Sequence, residues 1–408
     1  MTYFYEDRKM IKDKGKYFVK ALAVFLSMSM LSACSSKENT PSPTATPETV
    51  VTKTEDATPT PDENEGKKEE VTPTKEEGSD VQPTEAPEVT DTEFDDDKAK
   101  TLETTTLTKA DYTKINVEYK TKDLEYAFDM SDITKIFFSD DEVTVSGKKE
   151  VRTNDIDGRK TVTITQKGKY LISGTCSNGQ IIVNADKDKD VRLLLNGLDL
   201  TCPDSACINE RQCDKLLVTL VGGTENYLNG TQDFVYEDEE KKNPDACIFA
   251  KDDLVINGNG TLNIKTKSAE GIHSTDSVKM ISGTINIESG DRAIRGKKFV
   301  VIKNADINIK TESDAIRTTI DDDSELGYIV IEGGNIKIET DSEGIQATGH
   351  IQITGGEIDI NADGKKANAI KSDRIVFIEN ATVTVNSVKD IKAVSGVIAD
   401  EGTVKIRG

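Results

Sequence analysis

From about residue 107 onward, apolar residues take every second position in short runs, as in Glu142-Val143-Thr144-Val145 and Val162-Thr163-Ile164. A period of two marks strands with one buried face. The runs also repeat at long range. A small residue before an isoleucine recurs as Cys207-Ile208, Cys247-Ile248, Gly271-Ile272, Ala293-Ile294, Ala315-Ile316, Gly344-Ile345 and Ala369-Ile370, and the series ends at Asp390-Ile391. From Ile248 on, successive isoleucines lie 24, 22, 22, 29, 25 and 21 residues apart. Downstream of each anchor come an apolar strand, a tight turn and an alternating strand, seen in Ile329-Val330-Ile331, Gly333-Gly334, Ile336-Lys337-Ile338. Two other coils carry Asn304-Ala305 and Asn380-Ala381 at the turn, so its first position takes only Gly or Asn and is expected at positive φ. Three short strands per repeat specify a solenoid, since a sandwich would not keep this register. The expected fold is all-β: a right-handed parallel β-helix of coils of about 22 residues over 167–408, behind a β-rich N-terminal cap over 107–166. Acidic insertions at 227–244 and 319–326 are expected to be flanking loops.

The chain ahead of this pattern is of another kind. Lys14, Lys16 and Lys20 precede an apolar run over 21–31, too short to span a bilayer, which stops at Leu31-Ser32-Ala33-Cys34. That order is expected of a lipoprotein signal peptide, 1–33, with Cys34 as the lipidated residue. Residues 34–106 are Thr, Pro, Glu, Asp, Lys and Ser with almost no large apolar side chain, which predicts a disordered acidic tether. The expected arrangement is a monomer anchored in the membrane through the lipid on Cys34, on the extracellular face of the cytoplasmic membrane, with the β-helix at the cell surface.

Charge narrows the partners. With 74 acidic and 52 basic residues the formal net charge is -22, which argues against nucleic acid. No tryptophan is present, so sugar stacking on indole is excluded. Cys176, Cys202, Cys207, Cys213 and Cys247 form no CxxC or Cys/His set. Cys207 and Cys247 sit in matching Ala-Cys-Ile triplets, and the sequence leaves open whether they bridge or stay a pair of small buried thiols. Asp186-Lys187-Asp188-Lys189-Asp190 opens like an EF-hand loop but has Val191 and Gly197 where Gly and Glu are needed. No nucleophile, base and acid arrangement is recoverable, and no catalytic residue is assigned.

In a β-helix a repeated position becomes a row spaced about 4.8 Å apart. Two positions before the anchor the row reads Glu270, Arg292, Asp314, Glu343 and Asn368, with Asp291 and Asp341 beside it. Stacked carboxylates repel unless a cation intervenes, so Ca²⁺ is expected at Glu270, Asp291, Asp314, Asp341 and Glu343, and in the loop bearing Asp321 and Asp323; solvated turns are the alternative. One position after the anchor the row reads His273, Arg295, Arg317, Gln346 and Lys371. If it faces outward it suits the carboxylates of a linear acidic polysaccharide; alternatively these side chains pair with the acidic row.

Residues 125–408 resemble a family of clostridial extracellular carbohydrate-binding proteins whose β-helix is like that of polysaccharide lyases. The resemblance rests on Phe137-Phe138-Ser139-Asp140-Asp141, Gly168-Lys169-Tyr170-Leu171-Ile172-Ser173-Gly174, Ala250-Lys251-Asp252-Asp253-Leu254-Val255-Ile256-Asn257-Gly258 and Gly327-Tyr328-Ile329-Val330-Ile331-Glu332-Gly333-Gly334. It implies binding of plant cell-wall polysaccharide, cellulose or pectin, with calcium in the coils and no established catalysis. Family turns read Asp-Asp-Gly-Ile; here Arg292 replaces the second Asp and Ala315 the Gly, which puts calcium beside Arg292 in doubt. Two rivals remain. One is a calcium-dependent lyase with Arg295, Arg317 or Lys371 as base, the other a purely structural adhesin.

Overall fold

The computed structural model describes residues 107–400 and 403–406; the expected signal peptide, Cys34 and the expected tether lie outside the described residues. Strands dominate, and from Gly168 on each pairs in parallel with the equivalent strand of the next coil. The result is a parallel β-solenoid with three faces. The anchoring isoleucines form the ladder of one face, Ile272 beside Ile294, then Ile316, Ile345, Ile370 and Ile391. That ladder starts earlier than the repeat reveals, with Val162 and Ile181 stacked ahead of Ile208 and Ile248. A second face stacks Leu228, Ile264, Ile287, Ile309, Ile338, Ile360 and Val385. The first face stacks Leu216, Leu254, Val278, Val300, Ile329, Ile351 and Val376. All three ladders point inward and are buried, so one continuous apolar core fills the coil axis.

The turn chemistry differs from expectation in one respect. In the Gly-Gly turns the left-handed residue is the second one, Gly334 and Gly356, both at φ 94°, while Asn380 at φ 55° holds the first position of its turn. A Cβ on Gly334 would lie 2.1 Å from the carbonyl oxygen of Ala305 in the coil before, so stacking as well as backbone conformation demands glycine there.

The start of the solenoid is closed by two antiparallel hairpins. Val143–Ser146 pairs back on Ile133–Phe138, and Val151–Ile156 pairs back on Arg159–Ile164. Residues 107–125, expected in this cap, are not strands; they form a strap laid along the outside of the first face. At its beginning Lys109 binds Glu379 and Asp400 in the last coils, and Tyr112 stacks on Phe377. Midway the Gln352 amide accepts from the Ile115 N–H at 2.8 Å and donates to its carbonyl at 3.0 Å. Near its end Tyr119 packs on Leu217, Val255 and Ile281, and the buried Asp123 carboxylate meets Lys215 at 2.8 Å. The strap explains why Leu217, Val255, Val301, Val330, Phe377 and Ile398, on the outward side of these strands, are all buried. A parallel sheet covered on both sides reads as continuous apolar runs, and this face does except at Lys279 and Gln352, which donate to the Glu118 and Ile115 carbonyls of the strap. The expected insertion at 227–244 also shifts: Tyr227 belongs to strand Glu225–Gly230, and the loop follows it.

Candidate functional site

Where the second face turns into the third, each coil presents its acidic and basic rows, and the structure shows what those rows do. The basic row leans onto the acidic one. Arg295 donates from Nε to Glu270 at 2.8 Å and from Nη2 to Asp245; Arg292 reaches Glu270 at 3.0 Å and Asp291 at 3.4 Å. Arg317 pairs with Asp314, and Lys371 donates to Glu343 Oε1 at 2.8 Å. His273 is only 4% exposed; it donates from Nδ1 to Asp245 Oδ1 at 2.6 Å and sets its edge against Phe249. Gln346 stands in register between Arg317 and Lys371, half-buried. Four of the five residues of the basic row, His273, Arg295, Arg317 and Lys371, thus pair with carboxylates in a seam, the alternative the sequence had offered.

Burial sets the charge states in the seam. Burial lifts the Glu270 carboxyl to about 7 despite Arg295 and Arg292 beside it, and burial also holds the His273 imidazole below its ordinary range. Glu343 goes the other way: burial alone would raise it, but Lys371 and Ser342 hold it at about 2. Glu343 is therefore ionised and Glu270 is poised to take a proton.

Among the described residues, Asp245, Glu270 and His273 bring three possible metal-ligating atoms within 4.8 Å of one another. Arg295 already contacts all three and supplies the positive charge that stacked carboxylates need. Asp291, Asp314, Asp341 and Glu343 are not part of that group, and Asp321 and Asp323 are exposed on the 319–326 loop, where Asp323 accepts from the Glu325 N–H at 2.9 Å. Oxygen ligands for a hard cation are better placed three coils on. Next to Glu343, Asn368 is 4% exposed and its Oδ1 has no partner, nor has the buried Oδ1 of Asp390 in the coil after it. The two unpartnered oxygens are donors of the kind Ca²⁺ takes, and Glu343 could join them once Lys371, its partner at 2.8 Å, gives way.

The exposed relief lies beside the seam, on the second face. A groove of about 700 Å³ crosses successive coils along the solenoid, lined by Lys265, Glu288, Lys310, Glu339 and Asp341 and by Thr266, Ser289, Thr311 and Thr340, three of whose hydroxyls donate to the carbonyls of Ala269, Asp291 and Ser313. A shallower depression of about 500 Å³ adjoins it over Asn263, Asn286 and Asn308. Those amides form a chain, Asn286 donating to Asn263 at 2.8 Å and Asn308 to Asn286 at 2.9 Å. Lys265 is paired with Glu288 at 2.9 Å, and Lys310 carries neither hydrogen bond nor ion pair among the described residues. Of the expected site residues, Asp341 alone lines this groove. The signal for it was present as Leu262-Asn263-Ile264, Ile285-Asn286-Ile287 and Ile307-Asn308-Ile309, an amide repeating at one outward position. Asp245, which organises the seam, ends the 231–245 loop and carries no repeat signal.

Comparison with known proteins places this geometry. The profile of a family described as "Carbohydrate-binding domain-containing protein" matches residues 158–408. A carbohydrate-binding domain-containing protein of Acetivibrio thermocellus is 29% identical over 220 residues, which are 53% of this chain and 77% of that protein. The solved structure of a polysaccharide lyase-like protein from C. thermocellum, a gadolinium derivative, aligns with a TM-score of 0.53 at 28% identity, covering 66% of this chain and 98% of that one.

Proposed function

The chain belongs to the family of carbohydrate-binding domain-containing proteins, and from that premise we propose that it holds a linear plant cell-wall polysaccharide, acidic pectin ahead of cellulose, along the second-face groove without cleaving it. The observation that carries this reading is the groove itself: charged, hydroxyl and amide side chains recur coil after coil, at a step of about 4.8 Å, in a line parallel to the solenoid axis. Lysine and glutamate alternate along the charged row, from Lys265 through Glu288 and Lys310 to Glu339, so a polymer with a regular repeat meets a cation at every second coil there. Lys310 and Lys265 suit sugar carboxylates, and the amide chain suits hydroxyls. The seam of His273, Arg295, Arg317 and Lys371 then supports the groove wall rather than touching sugar.

Calcium belongs to this proposal at Glu343 and Asn368. There it would offset the carboxylates and offer a Lewis-acidic contact to a uronate. A right-handed winding, lipid attachment at Cys34 and display at the cell surface complete the reading.

The test is retention of the purified chain on polygalacturonate and on cellulose, with calcium or with EDTA, while absorbance of unsaturated uronates is followed. Calcium-dependent retention without product supports the proposal. Unsaturated product makes the protein a lyase, and retention on neither polymer leaves a structural role. For the anchor, Cys34→Ser is expected to move the protein from the membrane fraction to the medium, and continued membrane association would refute lipidation.

A further inference from the structure

The two Ala-Cys-Ile triplets of the sequence fall on neighbouring rungs. Ile208 and Ile248 are register partners in parallel strands, so Cys207 and Cys247, one residue back on each, face each other across one strand spacing. That spacing, about 4.8 Å, lies within the roughly 4.4–6.8 Å between Cα atoms that a disulfide spans. Both side chains belong to the core and both are 0% exposed, so they share one buried environment. Cys207 Sγ lies against the carbonyls of Leu200 and Asn229, at 3.4 and 3.3 Å, and the neighbouring Cys247 thiol helps to hold it in its neutral form. Cys176 and Cys213 have no such partner, and all five described cysteines are free thiols here.

We propose that Cys207 and Cys247 are a disulfide-competent pair that closes when the chain folds in the presence of a small-molecule disulfide. The balance is simple. The two thiols lose two protons and two electrons as the Sγ–Sγ bond forms; the oxidant's own disulfide bond breaks and it departs as two thiols. The bond would close the segment 208–246, which contains the 231–245 loop, and would fix the chain two residues beyond Asp245. Asp245 holds both His273 and Arg295, so the staple would pin the carboxylate on which the seam is organised.

Burial decides when the bond can form. Exchange needs a thiolate at the surface, and burial pushes the Cys207 thiol well above its ordinary range while closing it to reagents. The folded protein is therefore inert to oxidants, and the pair is set during folding or stays open.

The experiment unfolds the full chain in denaturant with reductant and refolds it either in an oxidised and reduced glutathione mixture or in reductant alone. Thiols are then alkylated under denaturing conditions and peptides are mapped by mass spectrometry. Expected is a cross-linked peptide joining Cys207 to Cys247 in the first sample only, with Cys176, Cys202 and Cys213 alkylated in both. Glutathione added after folding produces no cross-link, the circular dichroism of the two forms is the same, and the oxidised form melts several degrees higher. Should refolding be inefficient, the same map is made on chain secreted into an oxidising compartment. Alkylated Cys247 in every sample, or a link from Cys247 or Cys207 to Cys202, overturns the inference.

Discussion

Asp123 offers the sharpest test of how the strap is held. Its carboxylate is fully buried and meets Lys215 at 2.8 Å and Lys279 at 3.5 Å, and its carbonyl accepts from Asn257 at 2.8 Å. Lys215 is itself 2% exposed, so Asp123→Ala leaves an ammonium buried with no counter-charge. Breaking one half of such a pair costs about 3–5 kcal/mol, equivalent to an opening equilibrium shifted by about two to four powers of ten. The loss is local, because a solenoid couples mainly neighbour to neighbour and the coils beneath keep their own ladders. Hydrogen exchange is the assay. Expected is a drop in protection of at least a hundredfold in peptides covering 112–125, with the rungs at Ile294, Ile316 and Ile345 unchanged. Adding Lys215→Met removes the stranded charge and restores much of the protection. The pH dependence has a definite sign: burial alone would raise the Asp123 carboxyl, but Lys215 outweighs it and holds the group below its usual value. A depressed acid contributes above its unfolded pKa, so wild-type protection is full near neutral pH and fades only as pH falls through the lowered value. Unchanged protection in the strap, or an equal loss throughout the solenoid, would refute the reasoning.

Burial lifts Glu210 and Glu270 to about 7, so each favours folding fully below about pH 4.5 and loses that contribution as pH rises through 7, a change of about 3 kcal/mol apiece. The urea midpoint is expected to fall between pH 5 and 8 and to fall less in Glu210→Gln; identical slopes would count against the assignment. Gly334→Ala meets both a φ of 94° and a carbonyl 2.1 Å from its new Cβ, whereas Gly197→Ala at φ 71° meets nothing within 4 Å. The first should cost several kcal/mol and the second about 1, and equal thermal shifts for the two would contradict the stacking argument. Ile316→Ala in the third-face ladder should cost about 2–5 kcal/mol in a calorimetric melt, and a cost near zero would show that the core collapses around it.

The anchors were legible because a coil repeats its small-residue and isoleucine pair in register, and the ladder followed directly. The strap was not, since Tyr112, Ile115 and Tyr119 follow neither strand nor helix spacing; only their partners carry a signal. Leu254-Val255-Ile256, Val300-Val301-Ile302, Ile329-Val330-Ile331 and Val376-Phe377-Ile378 are unbroken apolar triplets, whereas second-face strands read Ile-Asn-Ile or Ile-Lys-Ile. Unbroken runs mean that something covers the outer side. The rows of charges were visible too, but whether Arg295 faces ligand or leans on Glu270 depends on side-chain direction and on Asp245, which arrives from a loop outside the repeat.

The direction of the strap has a mechanical consequence. It runs from the last coils back to the first, so the chain joins the fold beside Glu379 and Asp400, at the end where it also finishes. A pull on residues ahead of Leu107 bears first on Lys109 and on the stack of Tyr112 against Phe377, and reaches Asp123 only after those have parted. Each step lays bare one more rung of the apolar column on the first face while the coils stay wound. Load would therefore be taken up as a graded peeling of the outer layer, leaving the groove on the neighbouring face intact until the strap is spent.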